Sequence, residues 1–169
     1  MLNAKVMLLG DMGVGKTSLA QRLVFDRFET DHKTTIGVQI MTHDVPLGTS
    51  ASSEMMRMVL WDTDGDFGQQ IFNTVYVTGA SAAMIVCDAS RPATIDRMVQ
   101  LTHDFATHFP GRPFKAIVNK IDLIDTDAHT IMPSGVHPDD VVTTSAKTGE
   151  GVISAFQALA QSIARRQGS

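Results

Sequence analysis

The segment that decides the fold is Gly10-Asp11-Met12-Gly13-Val14-Gly15-Lys16-Thr17. It follows the apolar run at residues 6–9 and precedes the helical spacing of Leu19, Ala20 and Leu23, so it connects a strand to a helix. Glycines at these positions let successive backbone N–H groups point at an anion, and the following helix N-terminus adds a partial positive charge. The lysine and the threonine suit the outer phosphates and Mg²⁺. The segment predicts a phosphate-binding loop rather than an ordinary glycine-rich turn, with nucleotide contacts from Asp11, Met12, Gly13, Val14, Gly15, Lys16, Thr17 and Ser18.

Short apolar runs recur along the chain, at residues 6–9, 58–61, 82–87, 116–118 and 141–142. Amphipathic segments separate most of these runs. Strands that are apolar on both faces and alternate with helices are typical of a parallel sheet that helices cover on both sides. We therefore expect an α/β fold with a doubly wound, mostly parallel sheet and helices on both faces.

Two of the amphipathic segments have a clear helical face, which we expect to pack on the core. The first face carries Ile95, Met98, Val99, Phe105, Ala106 and Phe109, and the second carries Val152, Phe156, Leu159 and Ile163. Residues 38–45 and 55–62 flank a small, polar stretch and predict a β-hairpin. Prolines and a glycine within residues 123–140 predict an irregular connection there.

The composition excludes several classes of function. The formal net charge is −4 and no dense Lys/Arg block is present, which argues against nucleic-acid binding. The single cysteine, Cys87, lies in an apolar run, so we expect a buried thiol, a reducing compartment and a cytoplasmic protein. No apolar stretch approaches the ~20 residues of a membrane span. We expect one domain over residues 1–169 and, without a cysteine near the C-terminus, no direct lipid anchor.

The histidines do not have metal-ligand spacing, and we expect them at the surface. This expectation covers His103, His108, His129 and His137, while His32 lies in the segment before Thr35 and offers a modest pH effect there.

A second pair of motifs selects the base. Asn119-Lys120-Ile121-Asp122 follows the apolar run at 116–118, and Ser145-Ala146-Lys147 follows the run at 141–142. An ionised Asp122 can accept from the ring N–H and the exocyclic amine of guanine together, whereas adenine offers no such donor pair. Asn119 can hold the loops together, the Lys120 stem can cover the base, and the Ala146 N–H can donate to the guanine carbonyl oxygen. Each tetrad alone could be a turn or a cap, but their order behind a phosphate loop favours GTP or GDP.

Together these motifs resemble those of the Ras superfamily of small GTPases, most closely its Rab-like branch. The resemblance covers nearly the whole chain and rests on residues 10–17, 35–38, 61–65, 119–122 and 145–147. It implies the P-loop G domain fold. It also implies that Thr35 binds Mg²⁺ and the γ-phosphate in the GTP state, that Asp62 holds Mg²⁺ through a water, and that Gly65 donates its N–H to the γ-phosphate. Phe28 would pack against the guanine, with plain core packing as the alternative.

The resemblance further implies a molecular switch that slowly hydrolyses GTP and has a protein effector, an exchange factor and a GTPase-activating protein as partners. The metal ligands would be Thr17, Thr35 and Asp62, and the catalytic residues Lys16, Gly65 and Asp66. A binding module with little or no hydrolysis is the alternative. A P-loop kinase is disfavoured because no arginine-rich lid segment is present and because it leaves Asp122 unexplained.

Switch II, here the segment at residues 64–73, departs most from the family pattern, because Asp66 replaces the glutamine that positions the attacking water. Asp64 and Asp66 either lie beside the γ-phosphate, where they repel it, or turn to solvent as an acidic helix start. Gln69 or Gln70 could supply the missing amide. The position of Met12, often a small residue in the family, would crowd an arginine supplied by an activator.

Overall fold

The computed structural model describes residues 1–30, 34–125 and 131–168. In this part of the chain one sheet contains β1 (Leu2–Gly10), β2 (Val38–Pro46), β3 (Met55–Thr63), β4 (Ala82–Asp88), β5 (Phe114–Asn119) and β6 (Val141–Thr143). The strands lie in the order β2-β3-β1-β4-β5-β6. Only the β2–β3 pair is antiparallel, and it forms the predicted hairpin. The predicted mostly parallel sheet is confirmed.

The helices of the described residues are α1 (Lys16–Phe25), α2 (Pro92–His108) and α3 (Val152–Gln167). The proline that opens α2 has no N–H, which costs nothing in a first helical turn. Two arginines in the last turn of α3 complement the partial negative charge of that helix end. Shorter 3-10 segments cover Gly65–Asn73, Val75–Val77, Ile121–Leu123 and Pro138–Asp140. The last of these lies in the connection before β6, which is irregular over its described residues, as predicted.

Hydrophobic clusters on both faces of the sheet confirm the doubly wound arrangement. On one face α1 and α3 pack against alternate residues of β1, β3 and β4, and all four predicted core residues of α3 are buried. On the other face α2 packs against the sheet together with the 3-10 segment Gly65–Asn73. Cys87 is buried in this second cluster, where loss of hydration raises the pKa of its thiol to about 12.

The predicted core face of α2 needs one correction. Met98 and Phe105 are fully buried, but Ala106 is exposed and Leu101 takes a core position instead. Leu101 is three residues after Met98 and four before Phe105, so it lies on the same helical stripe.

The structure exposes His103, His108 and His137, as expected, whereas His32 and His129 lie outside the described residues. No helix among the described residues is both long and apolar enough to cross a membrane.

Candidate nucleotide site

A cavity of about 490 Å³ opens at the carboxyl ends of the parallel strands. In open α/β sheets ligands bind at this edge, because the loops that follow neighbouring strands converge there. The predicted site residues that line it are Met12, Gly13, Gly15, Lys16, Thr17, Ser18, Phe28, Thr35, Gly65, Asn119, Lys120, Asp122, Ala146 and Lys147. Thr30, Thr34, Thr63 and Leu123 line it as well and were not predicted. The predicted residues outside the lining are Asp11, Val14, Asp62, Asp66 and Ser145.

The loop between β1 and α1 owes its tight course to its glycines. Gly15 has a φ of 104°, and a Cβ atom there would lie 2.3 Å from the side-chain nitrogen of Asn119. Any larger residue would force the loop away from Asn119, so the glycine permits a contact between the phosphate loop and the loop after β5.

Lys16 lies inside this loop, and its Nζ donates to the carbonyl oxygens of Gly10 and Asp11, each at 2.8 Å. Burial lowers the pKa of Lys16 to about 8, although the charges of Asp62, Asp11 and Asp64 oppose that shift. A cation that has lost hydration is stabilised by an anionic ligand. The loop is therefore suited to phosphate.

The three predicted metal ligands come together beside the cavity. The Thr17 and Thr35 hydroxyls lie 2.7 Å apart, and the Thr17 hydroxyl donates to Oδ2 of Asp62. Burial raises the pKa of Asp62, and its Oδ1 is buried without a hydrogen-bond partner among the described residues. One carboxylate and two hydroxyls suit a hard cation that keeps several waters, which is the coordination preferred by Mg²⁺. The orphaned Oδ1 therefore fits a magnesium site.

The loops after β5 and β6 form the other end of the cavity. The Ser145 hydroxyl donates to Oδ1 of Asp122 at 2.7 Å, which orients that carboxylate. Asn119 accepts from the Thr144 hydroxyl at 2.9 Å and donates to the Val14 carbonyl at 2.9 Å. The Ala146 N–H, predicted to face the guanine carbonyl oxygen, here donates to Oδ1 of Asn119 over 3.2 Å.

Arg22 was not predicted as a site residue, yet it holds the loop after β6 through two backbone carbonyl groups. Its Nε donates to the Ala146 carbonyl at 2.8 Å and its Nη2 to the Lys147 carbonyl at 2.6 Å. The sequence gives only its place on α1, so a contact across 124 residues has no local signal.

In switch II, at residues 64–73, the adjacent residues Gly65 and Asp66 have different surroundings. A Cβ on Gly65 would lie 2.3 Å from the backbone nitrogen of Met12, so Gly65 packs directly on the phosphate loop. Asp66 is exposed, and its N–H donates to Oδ1 of Asp64, which caps the 3-10 segment. Asp66 therefore has the solvent-facing placement of the two predicted, whereas Asp64 is half-buried and its charge acts on Lys16. The catalytic role of Asp66 stays a prediction without a contact to the cavity.

Neither glutamine of switch II faces the cavity in this arrangement. The Gln69 amide donates to Asp104 on α2 at 2.7 Å, and the Gln70 side chain accepts from Asn73 at 3.4 Å. Gly68 has a φ of 48° and breaks the 3-10 segment, which turns the following residues toward α2. The predicted amide rescue therefore requires the Gln69–Asp104 bond to break.

The comparisons with known proteins agree with this geometry. Residues 5–122 match the family described as Roc, the Ras of Complex domain of DAPkinase. Human Ras-related protein Rab-31 is 32% identical over 94% of this chain and 82% of its own length. Rab-5B of Plasmodium falciparum is 30% identical over 96% of this chain and 78% of its own length. The Ypt/Rab-type GTPase YPT7 of Saccharomyces cerevisiae is 29% identical over 94% of this chain and 80% of its own length. The chain belongs to the Ras-like small GTPases.

Membership explains why the phosphate loop and the base-reading loops share one cavity in this small GTPase. The family implies guanine-nucleotide binding, and the glycine-rich loop and Asp122 line the same cavity. Phe28 lines the cavity and also packs against the core cluster of α1 and α3, so the two readings of this residue are compatible.

We predict that Gly15→Ala weakens GDP binding at least about tenfold, because the new methyl group must displace Asn119. Gly79→Ala is the matched control: Gly79 also has a positive φ, of 75°, but a Cβ there meets no atom within 4 Å. Isothermal titration calorimetry measures both variants. Equal losses would mean that backbone strain alone, and not the contact with Asn119, accounts for the effect.

Proposed function

We propose that residues 1–169 form one G domain, which binds GTP or GDP with Mg²⁺, hydrolyses GTP slowly and recruits a protein partner in one nucleotide state. The observation that carries this proposal is that one cavity has the phosphate loop at one end and the Asp122 carboxylate at the other. A nucleoside triphosphate needs both ends, and a carboxylate at the base end suits guanine.

The base end supports selectivity for guanine. Ser145 leaves Oδ2 of Asp122 as an acceptor, while its bond to Oδ1 uses only one lone pair of that atom. Both carboxylate oxygens can therefore face the two donors of guanine. Lys120 lines the same end, and its left-handed backbone, with a φ of 65°, lays the side chain across the cavity toward Gly13.

Asp122→Asn should shift the preference from guanine toward xanthine nucleotides, because an amide donor meets the second carbonyl of xanthine and repels the amine of guanine. Competition between GTP, XTP and ATP for a fluorescent GDP analogue measures the change. The wild-type protein is expected to favour GTP over ATP by at least about a hundredfold, since adenine offers no donor pair and leaves both carboxylate oxygens of Asp122 without a partner on the base. Comparable affinities of the wild type for ATP and GTP would overturn the proposed function.

The residues that would hold Mg²⁺ are Thr17, Thr35 and Asp62, whose oxygens converge beside the cavity. When bound, the ion supplies charge neutralisation on the phosphate oxygens. The chain itself contributes the Lys16 ammonium and the N–H groups of the loop, which hold the phosphate chain in place. The Gly65 backbone, packed on Met12, closes the cavity toward switch II.

The positions of the Asp66 and Gln69 side chains support slow hydrolysis. A water needs an acceptor and an orienting group at hydrogen-bond distance from the reacting phosphate. Asp66 lies in solvent and Gln69 is held by Asp104, so neither side chain offers such a group in this arrangement. Hydrolysis would then rely on phosphate positioning by Lys16 and the loop.

Single-turnover hydrolysis should proceed at or below roughly 4 × 10⁻⁴ s⁻¹, the rate of Ras without its activator. Asp66→Ala and Gln69→Ala should each leave this rate within about twofold, whereas Asp66→Gln should raise it several-fold by restoring a donor and an acceptor. A large loss in Asp66→Ala would identify Asp66 as a competent base. A wild type without any turnover, unchanged by Asp66→Gln, would favour the binding module.

Recruitment of a partner in one state is supported by the position of Thr35. Its hydroxyl contacts Thr17, and the next residue, Ile36, is 85% exposed. Ile40 on β2 is also exposed and lies opposite Trp61 on β3. Closure of Thr35 on the metal side of the cavity therefore sets the position of an apolar surface that begins one residue later.

Substitutions of Thr17 and Thr35 should affect the affinities for GDP and GTP differently. Thr17→Ala should weaken GDP and GTP alike, because Thr17 belongs to α1 and remains at the site in both states, whereas Thr35→Ala should weaken a GTP analogue and spare GDP. Thr34→Ala is the control, since this neighbour lines the cavity but is not part of the Thr17–Thr35–Asp62 cluster. Equal loss of both nucleotides in Thr35→Ala would contradict a state-dependent role.

A further inference from the structure

Asp88, at the carboxyl end of β4, is a buried anion shared by two cations. Its Oδ2 lies 3.1 Å from Nε of Arg91 and 3.3 Å from Nζ of Lys120, and only 3% of its side chain is exposed. Burial alone raises the pKa of Asp88, but the two hydrogen bonds from Ser90 and the neighbouring cations outweigh it and hold the pKa below its usual value. Asp88 is therefore a fixed negative charge.

Each of the two cations also donates a hydrogen bond to a carbonyl oxygen of the phosphate loop. Nη2 of Arg91 donates to the Met12 oxygen at 2.9 Å, and Nζ of Lys120 donates to the Gly13 oxygen at 2.6 Å. The acceptors are consecutive in the chain. A carboxylate outside the cavity thus holds two successive peptide groups of the loop through two side chains.

The planarity of the peptide bond turns these contacts into a constraint on the cavity. In a trans peptide the C=O and the N–H of one unit point in opposite directions. With the Met12 oxygen fixed on Arg91, the Gly13 N–H is directed away from Arg91, and the Val14 N–H is likewise directed away from Lys120. A Cβ on Gly13 would lie 3.6 Å from Nη2 of Arg91, so the guanidinium lies against this peptide.

We infer that Asp88 and Arg91 are positioning residues for the phosphate chain: by holding the Met12 carbonyl outward they direct the next N–H toward the outer phosphates. This inference rests on the proposed function, because it assigns a role within the same nucleotide site. The Arg91 guanidinium also brings positive charge to the phosphate loop, where its Nη2 lies 2.9 Å from the Met12 oxygen. The same field favours a phosphate at that place.

A substitution at Arg97 is the control that distinguishes an effect of peptide orientation from a general effect of positive charge. Arg97 lies on α2, which begins directly after Arg91. Its side chain is 40% exposed against 47% for Arg91, and its Nε lies 3.6 Å from the Asp11 carboxylate. It is therefore a cation of similar exposure beside the same loop, but its contact is an ion pair with a side chain. Arg97→Gln removes a charge near the phosphates without releasing the Met12 carbonyl.

The experiment compares Arg91→Gln, Arg91→Lys and Arg97→Gln in full-length protein by their affinities for GTP, GDP and GMP, with thermal unfolding as a second readout. GMP lacks the phosphates beyond the first, so the ratio of GDP to GMP affinity isolates the phosphate chain. We expect Arg91→Gln to weaken GDP and GTP roughly tenfold and GMP less than twofold, the size expected for one charge-assisted hydrogen bond. Arg91→Lys should recover most of the loss, and Arg97→Gln should change the ratio little.

A double-mutant cycle extends the test to Asp88. If Asp88 acts on the loop through Arg91, Arg91→Gln should weaken GDP less in an Asp88→Asn background than in the wild type, because the two residues form one network. If the losses in GDP affinity from the two substitutions were fully additive, Asp88 would not act through Arg91. The Arg91 comparison stays decisive if Asp88→Asn does not fold.

Two results would overturn the inference. An equal loss of GDP and GMP in Arg91→Gln, accompanied by a lower unfolding temperature, would show a general structural role. An effect of Arg97→Gln as large as that of Arg91→Gln would show that charge alone matters. A wild type that fails to bind GDP would instead refute the proposed function, so the two failures are distinguishable.

Discussion

The buried side-chain amide of Asn119 joins three loops, and the cavity depends on its hydrogen bonds. It donates to Val14 in the phosphate loop, and it accepts from Thr144 and Ala146 in the loop after β6. The closest approach occurs at Gly15, where no side chain fits. A buried amide left unpaired costs about 1–3 kcal/mol, so the phosphate loop and the loops after β5 and β6 are held together in one geometry.

The charges of the site make that geometry costly without a ligand. Lys16 and Asp62 are both buried. Desolvation lowers the pKa of Lys16 and raises the pKa of Asp62, so it favours the neutral form of each. In the proposed function, an anionic phosphate chain would offset the first cost, and a divalent cation would offset the second. Bound nucleotide should therefore stabilise the folded chain, because a ligand that binds only the native state shifts the folding equilibrium by mass action. Binding and fold stability are linked in this small GTPase through the same two side chains.

The sequence predicted the parts of the structure that follow from local patterns. Each apolar run became a strand, and the glycine-rich segment and the base-reading motifs lie at strand ends because parallel strands share one carboxyl edge. The error concerns neighbours on one helix, because Ala106 fits the helical period but lies at the surface while Leu101 is buried. For Asp66 the sequence left two placements open, and the side chain faces solvent where Asp64 caps the segment. Periodicity cannot tell which of several adjacent residues faces the core.

Residues that act through distant contacts left no pattern to find. Arg22 and Arg91 reach loops 124 and 79 residues away in sequence, and their spacing to those loops has no meaning before the sheet is assembled. Asp88 offered a weak signal, since an acidic residue directly after a buried strand lies at the ligand-binding edge. Such supporting residues become visible only when the strand order is known.

In the proposed function, this cavity holds a guanine nucleotide together with Mg²⁺. Mass spectrometry of the small molecules released from natively purified protein, combined with elemental analysis for magnesium, tests it most directly. We expect stoichiometric GDP or GTP with an equivalent amount of magnesium. Recovery of adenine nucleotides in place of guanine nucleotides, or a protein that remains free of nucleotide after incubation with GDP and Mg²⁺, would contradict it.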